Sequence, residues 1–201
     1  MAFNPQKPPA KTVGDFELIE EGLHPARLAR IIELGDQEDK YGVKTKVAFG
    51  FTLPGVKVEV GGEMKQRMVW TFPLNMTSNP DSTVMKYIKA LNGAATEWSE
   101  VINRPCMIEI THKTKDGVTS ANLTNVVKPM AGLAVEEPDC DVYIFDFENP
   151  NKDVWEKLSE ARQNQIKGAK NYTGSAVEAM VEGKTQAVAA ESEDWDDDIP
   201  F

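Results

Sequence analysis

The chain has 201 residues, 41 % hydrophobic and 27 % charged, the make-up of a globular protein with one domain plus appendages or two small domains. No apolar run approaches the ~20 residues of a membrane-spanning helix, and the opening MAFNPQKPPAKT offers no secretory signal, so a cytoplasmic protein with no membrane partner is expected. The net charge of −10 argues against a nucleic-acid binder until its distribution is considered: residues 1–130 carry 16 Lys+Arg against 15 Asp+Glu, and residues 131–201 carry 6 against 17, so a near-neutral body precedes an acidic end.

Residues 1–14, with Pro5, Lys7, Pro8 and Pro9, read as a disordered lead. His24 to Leu34 is a strand candidate, followed by a turn at Gly35-Asp36. Lys44 to Leu53 alternates, with Val47, Phe49, Phe51 and Leu53 on one face and Lys44, Lys46, Ala48, Gly50 and Thr52 on the other. Val56 to Val60 and Gln66 to Leu74 flank Gly61-Gly62 as a hairpin. A helix follows, capped by Asp81 or Ser82, with Val84, Tyr87, Ile88 and Leu91 at helical spacing and Asn92-Gly93 at its end. Arg104 to His112 and Val118 to Val127 are strands around the tight turn Lys115-Asp116-Gly117. Residues 142–147 (VYIFDF) add a short strand. Asp153 to Lys167 reads as a helix with Val154, Trp155, Leu158 and Ala161 on one side.

After Gly168 small and polar residues dominate, which predicts a flexible linker over 169–190 and an exposed tip over 191–201. About five strands with a helix after the third predict a mainly β protein. The arrangement matches an oligonucleotide-binding (OB) fold, a five-stranded Greek-key barrel, over residues 15–168, with inserted and C-terminal helices and a disordered acidic tail. Immunoglobulin-like and other small barrels are the alternatives. Cys106 and Cys140 stand alone, and with only His24 and His112 beside them they read as packing residues rather than zinc ligands. No cofactor or metal is expected.

The C-terminus, Glu191-Ser-Glu-Asp-Trp-Asp-Asp-Asp-Ile-Pro-Phe201, holds six acids and no base, then ends apolar. Phe201 joins a ring to the terminal carboxylate, which suits an apolar pocket rimmed by Arg or Lys. Pro200 stiffens the approach, and Asp196, Asp197 and Asp198 suit a basic ridge. The tip, with Trp195 and Ile199 completing it, resembles that of bacterial single-stranded DNA-binding proteins, whose tails end in an acidic run and Ile-Pro-Phe. Glu21-Gly-Leu-His-Pro-Ala-Arg-Leu-Ala-Arg-Ile-Ile-Glu-Leu-Gly35, followed by Lys40-Tyr-Gly, looks like the opening of a group of phage single-stranded DNA-binding proteins. It departs from the cellular proteins in its long lead, so their tetrameric assembly is not carried over, though a homo-oligomer is compatible with the sequence. These resemblances imply single-stranded DNA binding with little sequence preference in phage replication, recombination and repair, in the host bacterial cytoplasm. They also imply recruitment of host or phage replication, recombination and repair proteins through the tip.

Such a binder needs bases for phosphates and rings for stacking. Lys44 and Lys46 beside small residues, Arg27 and Arg30, Lys65 and Arg67, and Lys113 and Lys115 are the candidate cations. Arg27 and Arg30, three apart, share a face only if a bulge intervenes. Phe49, Phe51 and Phe72 fit the core; Tyr41, in a charged loop, is the preferred stacking residue, with Trp70 or Trp98 next. An enzyme fits less well: Asp194 and Asp196 to Asp198 lie in a tip that cannot hold two metals rigidly, and Gly183-Lys184-Thr185 lacks the first glycine of a phosphate loop. The alternative is an adaptor that captures host enzymes through the tip without binding DNA.

Overall fold

A computed structural model of the chain describes residues 11–12, 17–93 and 95–183. The strands are β1 (Lys11–Thr12), β2 (Gly22–Asp39), β3 (Gly42–Val60), β4 (Glu63–Trp70), β5 (Leu74–Asn75), β6 (Pro105–Lys115), β7 (Val118–Val127) and β8 (Tyr143–Phe145). The helices are α1 (Thr83–Asn92), α2 (Trp98–Val101), α3 (Lys152–Lys157), α4 (Glu160–Lys167) and α5 (Ala176–Glu182). The protein is mainly β: a curled, largely antiparallel sheet follows the path β1-β7-β6-β2-β3-β4, with β5 added on β3 and β8 on β2. No helix among the described residues is long and apolar enough to cross a membrane.

The alternation of β3 places Val47, Phe49, Phe51 and Leu53 in the hollow of the sheet, where all four are fully buried. Helix α1 closes that hollow with Val84, Tyr87 and Leu91. Its N-cap is Ser82, whose Oγ accepts from Met85 N–H at 3.3 Å. Trp98 belongs to the same core: it meets Phe49 edge-on at 5.7 Å and donates Nε1–H to Glu33 Oε1 at 2.6 Å.

The other side of β3 is not the solvent face its polar residues suggest. Ala48 and Thr52 are fully buried and Lys46 is only 8 % exposed. A second apolar cluster covers this side, built from Ile32, Leu34, Phe145, Phe147, Trp155 and Ile166. Strands β2 and β3 are thus buried on both faces, which the apolar run Leu28 to Leu34 reflects better than strict alternation does.

The expected turn at Gly35-Asp36 is instead a bulge within β2. The register with β3 slips between Glu33 and Gly35, β2 continues to Asp39, and the reversal comes at Lys40-Tyr41. Gly35 takes φ +70°, and a Cβ there would stand 2.6 Å from the Phe147 ring and 2.9 Å from Ala169 Cβ. The neighbouring backbone secures the C-terminal segment: Lys170 N–H donates to Asp36 O at 2.8 Å, and Asp36 N–H to Asn171 Oδ1 at 2.8 Å.

That docking corrects the linker expected over 169–190. Residues 169–183 pack, with Ala169 and Val177 buried, and α5 runs from its Ser175 cap to Gly183 at φ +67°. The helix expected over 153–167 is two, because Ser159 starts a new one by accepting from Arg162 N–H at 3.4 Å. Lys11–Thr12, placed in the disordered lead by the sequence, pairs in parallel with β7 at Val118 and Thr119. The rest of that lead, residues 184–190 and the tip from Trp195 to Phe201 lie outside the described residues.

Candidate nucleic-acid interface

Strand β4 carries Lys65, Arg67 and Trp70, and the strands beside it decide what those side chains can reach. Trp70 sits opposite Gly50 in the β3–β4 register. Arg162 of α4 lies over that ring, its guanidinium carbon 5.0 Å from the ring centre. Arg162 Nη1 donates to Gln165 Oε1 at 2.8 Å.

Arg30 reaches the same region because β2 slips one residue against β3 between Leu28 and Arg30, the bulge that the two arginines required. Its guanidinium carbon lies 5.0 Å from the centre of the Tyr143 ring on β8. Arg30, Trp70, Tyr143, Lys157 and Arg162 line a cleft of about 460 Å³. Arg30 is also the wall of a second cleft, of about 380 Å³, lined by Lys65, Arg67, Met68 and Cys140. A third, of about 250 Å³, opens between Arg67 to Trp70 and Thr119 to Ala121 of β7, with Glu17 to Ile19 between them. Together the three clefts hold five cations and two aromatic rings, with Asp139 in the second and Glu17 in the third; Arg67 stands opposite Leu53 and Trp70 opposite Gly50, so these two side chains leave opposite faces of β4.

Burial sets the electrostatics here. It lowers the pKa of Arg67 and of Arg162, and raises that of Tyr143 against an opposing pull from Arg30. Both arginines remain charged at any working pH. The Cys140 thiol is likewise raised by burial, opposed by Arg30.

The other candidates lie elsewhere. Tyr41 is 72 % exposed at the β2–β3 hairpin tip, with Lys40 Nζ at 4.8 Å and Lys44 Nζ at 5.8 Å from its ring. Lys113 and Lys115 stand on the β6–β7 hairpin, paired with Ser120 and Val118. Lys46 is turned to the protein: Nζ donates to Asp39 Oδ2 at 2.8 Å and to Asn75 Oδ1. That bond, then the Tyr41 N–H, holds the Asp39 carboxyl below its ordinary value. Arg27 is consumed by backbone. Nε and Nη2 donate to Val135 O at 3.1 and 2.9 Å, Nη1 to Asn103 O at 2.8 Å, and Nη2 pairs with Glu137 at 2.9 Å. Neither Lys46 nor Arg27 presents a free charge to a strand.

Sequence reasoning missed Arg162, Lys157 and Tyr143. Arg162 falls seven residues after Trp155 and four after Leu158, so an arginine in the apolar stripe of the expected helix is the signal that was available. Phe72 was assigned to the core and is 70 % exposed, because β4 stops at Trp70 and the chain leaves the ladder before β5. No protein-family model matches the chain, and neither does any curated protein.

Proposed function

We propose that the protein binds single-stranded DNA, with little sequence preference, on the outer side of an oligonucleotide-binding fold. Three features of the chain path support the fold: the meander β2-β3-β4, the helix α1 after its third strand, and the hairpin β6-β7 whose first strand returns to pair with β2. In that fold the second and third strands and two hairpin loops take the nucleic acid. Here these correspond to β3 and β4, the Lys40–Lys44 tip and the Lys113–Lys115 tip.

The observation that carries the reading is the gathering of Lys65, Arg67, Arg30, Arg162 and Lys157 with Trp70 and Tyr143 in two clefts that share Arg30. Cations neutralise phosphates and release counterions, while guanidinium planes and rings accept any base by stacking. Exposed Tyr41 and Phe72 extend the stacking surface. The acidic tip, through Ile199, Pro200 and Phe201, recruits replication, recombination and repair proteins by its apolar end and terminal carboxylate. A cytoplasmic, phage-encoded role in those processes fits both parts.

Fluorescence anisotropy with labelled oligo-dT over a range of salt tests the reading. Affinity should fall with salt at a log–log slope of about −3.5 for the five cleft cations and about −4 with Lys44 added. A flat response, or tighter binding to duplex of the same length, rejects it. In that event the adaptor reading, carried by the tip alone, takes its place.

A further inference from the structure

We propose that the cleft between β2, β8 and α4 binds a nucleotide phosphomonoester, with Arg30, Arg162 and Lys157 on the phosphate. The inference deepens the single-strand reading of the same surface and rests on it only for the source of the nucleotide.

Size comes first. A cleft of about 460 Å³ is in the range of small-molecule sites and holds one nucleotide rather than a length of strand. The contact between Arg162 and Trp70 bridges α4 to β4 and walls the cleft on that side.

Charge selects the ligand. Three cations line the cleft and no carboxylate does. Lys157 has Asp141 at 3.1 Å, but among the described residues neither Arg30 nor Arg162 forms an ion pair. Partly buried charges call for a counter-charge. Arg30 Nε is also shut away from water without a hydrogen-bond partner among the described residues, and an unmade bond of that kind is costly. An atom so enclosed is out of reach of an oxygen in the cleft, so an anion there offsets the cost through the charge of the guanidinium as a whole.

The geometry suits phosphate in particular. Each guanidinium carbon lies over a ring at 5.0 Å from its centre, Arg30 over Tyr143 and Arg162 over Trp70, so the donors are held near the cleft before a ligand arrives. Ser159, the N-cap of α4, lines the same cleft, so the positive end of that helix adds to the field. A phosphomonoester carries roughly −1.5 to −2 at pH 7 against −1 for a diester, and two unpaired guanidiniums match the former. A mononucleotide or the phosphorylated end of a strand therefore fits this cleft better than the internal diester phosphates that the same cations meet along a bound strand.

The test is calorimetric titration of the full chain with thymidine 5′-monophosphate and with thymidine, alongside oligo-dT bearing a 5′-phosphate, a 3′-phosphate or neither. The monophosphate should bind at least about tenfold more tightly than the nucleoside. A preference of similar size for one phosphorylated oligomer assigns the site to strand ends; equal affinity for all three oligomers assigns it to free mononucleotides. Arg30→Gln and Arg162→Gln should each remove the phosphate preference, while Lys86→Gln on α1 leaves it intact. If Arg162→Gln does not fold, Arg162→Lys and the wild-type titrations decide. Monophosphate and nucleoside binding equally, or neither binding, overturns the proposal, and oligo-dT binding that persists in that case leaves the single-strand reading standing. Monophosphate binding without oligo-dT binding keeps this site and rejects that reading.

Discussion

A Cβ added to Gly50 would stand 3.0 Å from two atoms of the Trp70 ring, with Met68 Sδ at 3.1 Å. Only glycine leaves room for that ring against β3. Gly50→Ala should cost about 1–3 kcal/mol by overpacking, read from urea unfolding, and should change the near-ultraviolet circular dichroism. Unchanged stability and spectrum would contradict the packing.

Arg27 is a clamp for the loop at 135–137, with its donors spent on Val135, Glu136, Asn103 and Glu137. Arg27→Lys keeps the charge but loses the planar fork, and should destabilise the fold by about 1–3 kcal/mol. Oligo-dT affinity of the folded fraction should stay at the wild-type value. A loss of affinity without a loss of stability would return Arg27 to the interface.

Tyr41 and Lys44 should behave in the opposite way. Both are exposed at a hairpin tip, so Tyr41→Ala and Lys44→Ala should leave stability within about 0.5 kcal/mol. Tyr41→Ala should weaken oligo-dT binding by about 1–3 kcal/mol if its ring takes a base. Lys44→Ala should lower the salt slope by about 0.7. Normal binding by a folded Tyr41→Ala chain shifts the stacking role to Phe72.

The two thiols should separate by reactivity and by pH. Burial in the core raises Cys106 from 9.0 to about 12, while Cys140 is half-buried in a cleft. A disulfide reagent at pH 8 should therefore label Cys140 in the native protein and Cys106 only on unfolding. The Cys106 contribution to stability is whole below pH 9. Between pH 9 and about 12 the unfolded thiol loses a proton that the folded one keeps, so stability falls as pH rises. Cys106→Ala should remove that part of the alkaline loss, and denaturation curves at pH 8 and pH 10.5 compare the two chains.

Deleting residues 191–201 removes six carboxylates that can compete with DNA for the cations of β2, β4, α3 and α4. Oligo-dT binding should tighten, most at low salt, and capture of replication or repair enzymes should be lost. One glycine added after Phe201 keeps every acid but moves the carboxylate off the ring. That variant should retain its DNA affinity and lose its partners; retained partners would assign recognition to the acidic run alone.

Much of the sheet is legible in the sequence because local chemistry determines it. The alternation of β3, the Gly61-Gly62 and Asp116-Gly117 turns and the Ser82 cap each fix an element without distant help. The two-sided burial of β2 and β3 is not legible, because it depends on Phe145, Phe147, Trp155 and Ile166 arriving from far along the chain. The polar face of β3 therefore read as solvent-exposed, and Lys46 as free. Helix α5 did leave a local mark: Ser175 and Glu178 stand three apart as in a capping box, and the serine half of it forms, while the glutamate reaches the residue before the cap. Ser175 Oγ accepts from Glu178 N–H at 3.2 Å, and the Glu178 carboxylate accepts from Gly174 N–H at 2.8 Å. Of the site, the β4 bases and Trp70 were legible by strand position, whereas Arg162 and Tyr143 meet them only through tertiary packing.

Helix α5 also moves the boundary of the folded body. A truncation at Gly168, where the sequence alone would place the cut, removes buried Ala169 and Val177 and leaves the Asp36 N–H without its Asn171 partner. A chain ended there forfeits core packing and a backbone hydrogen bond that a chain ended at Gly183 keeps.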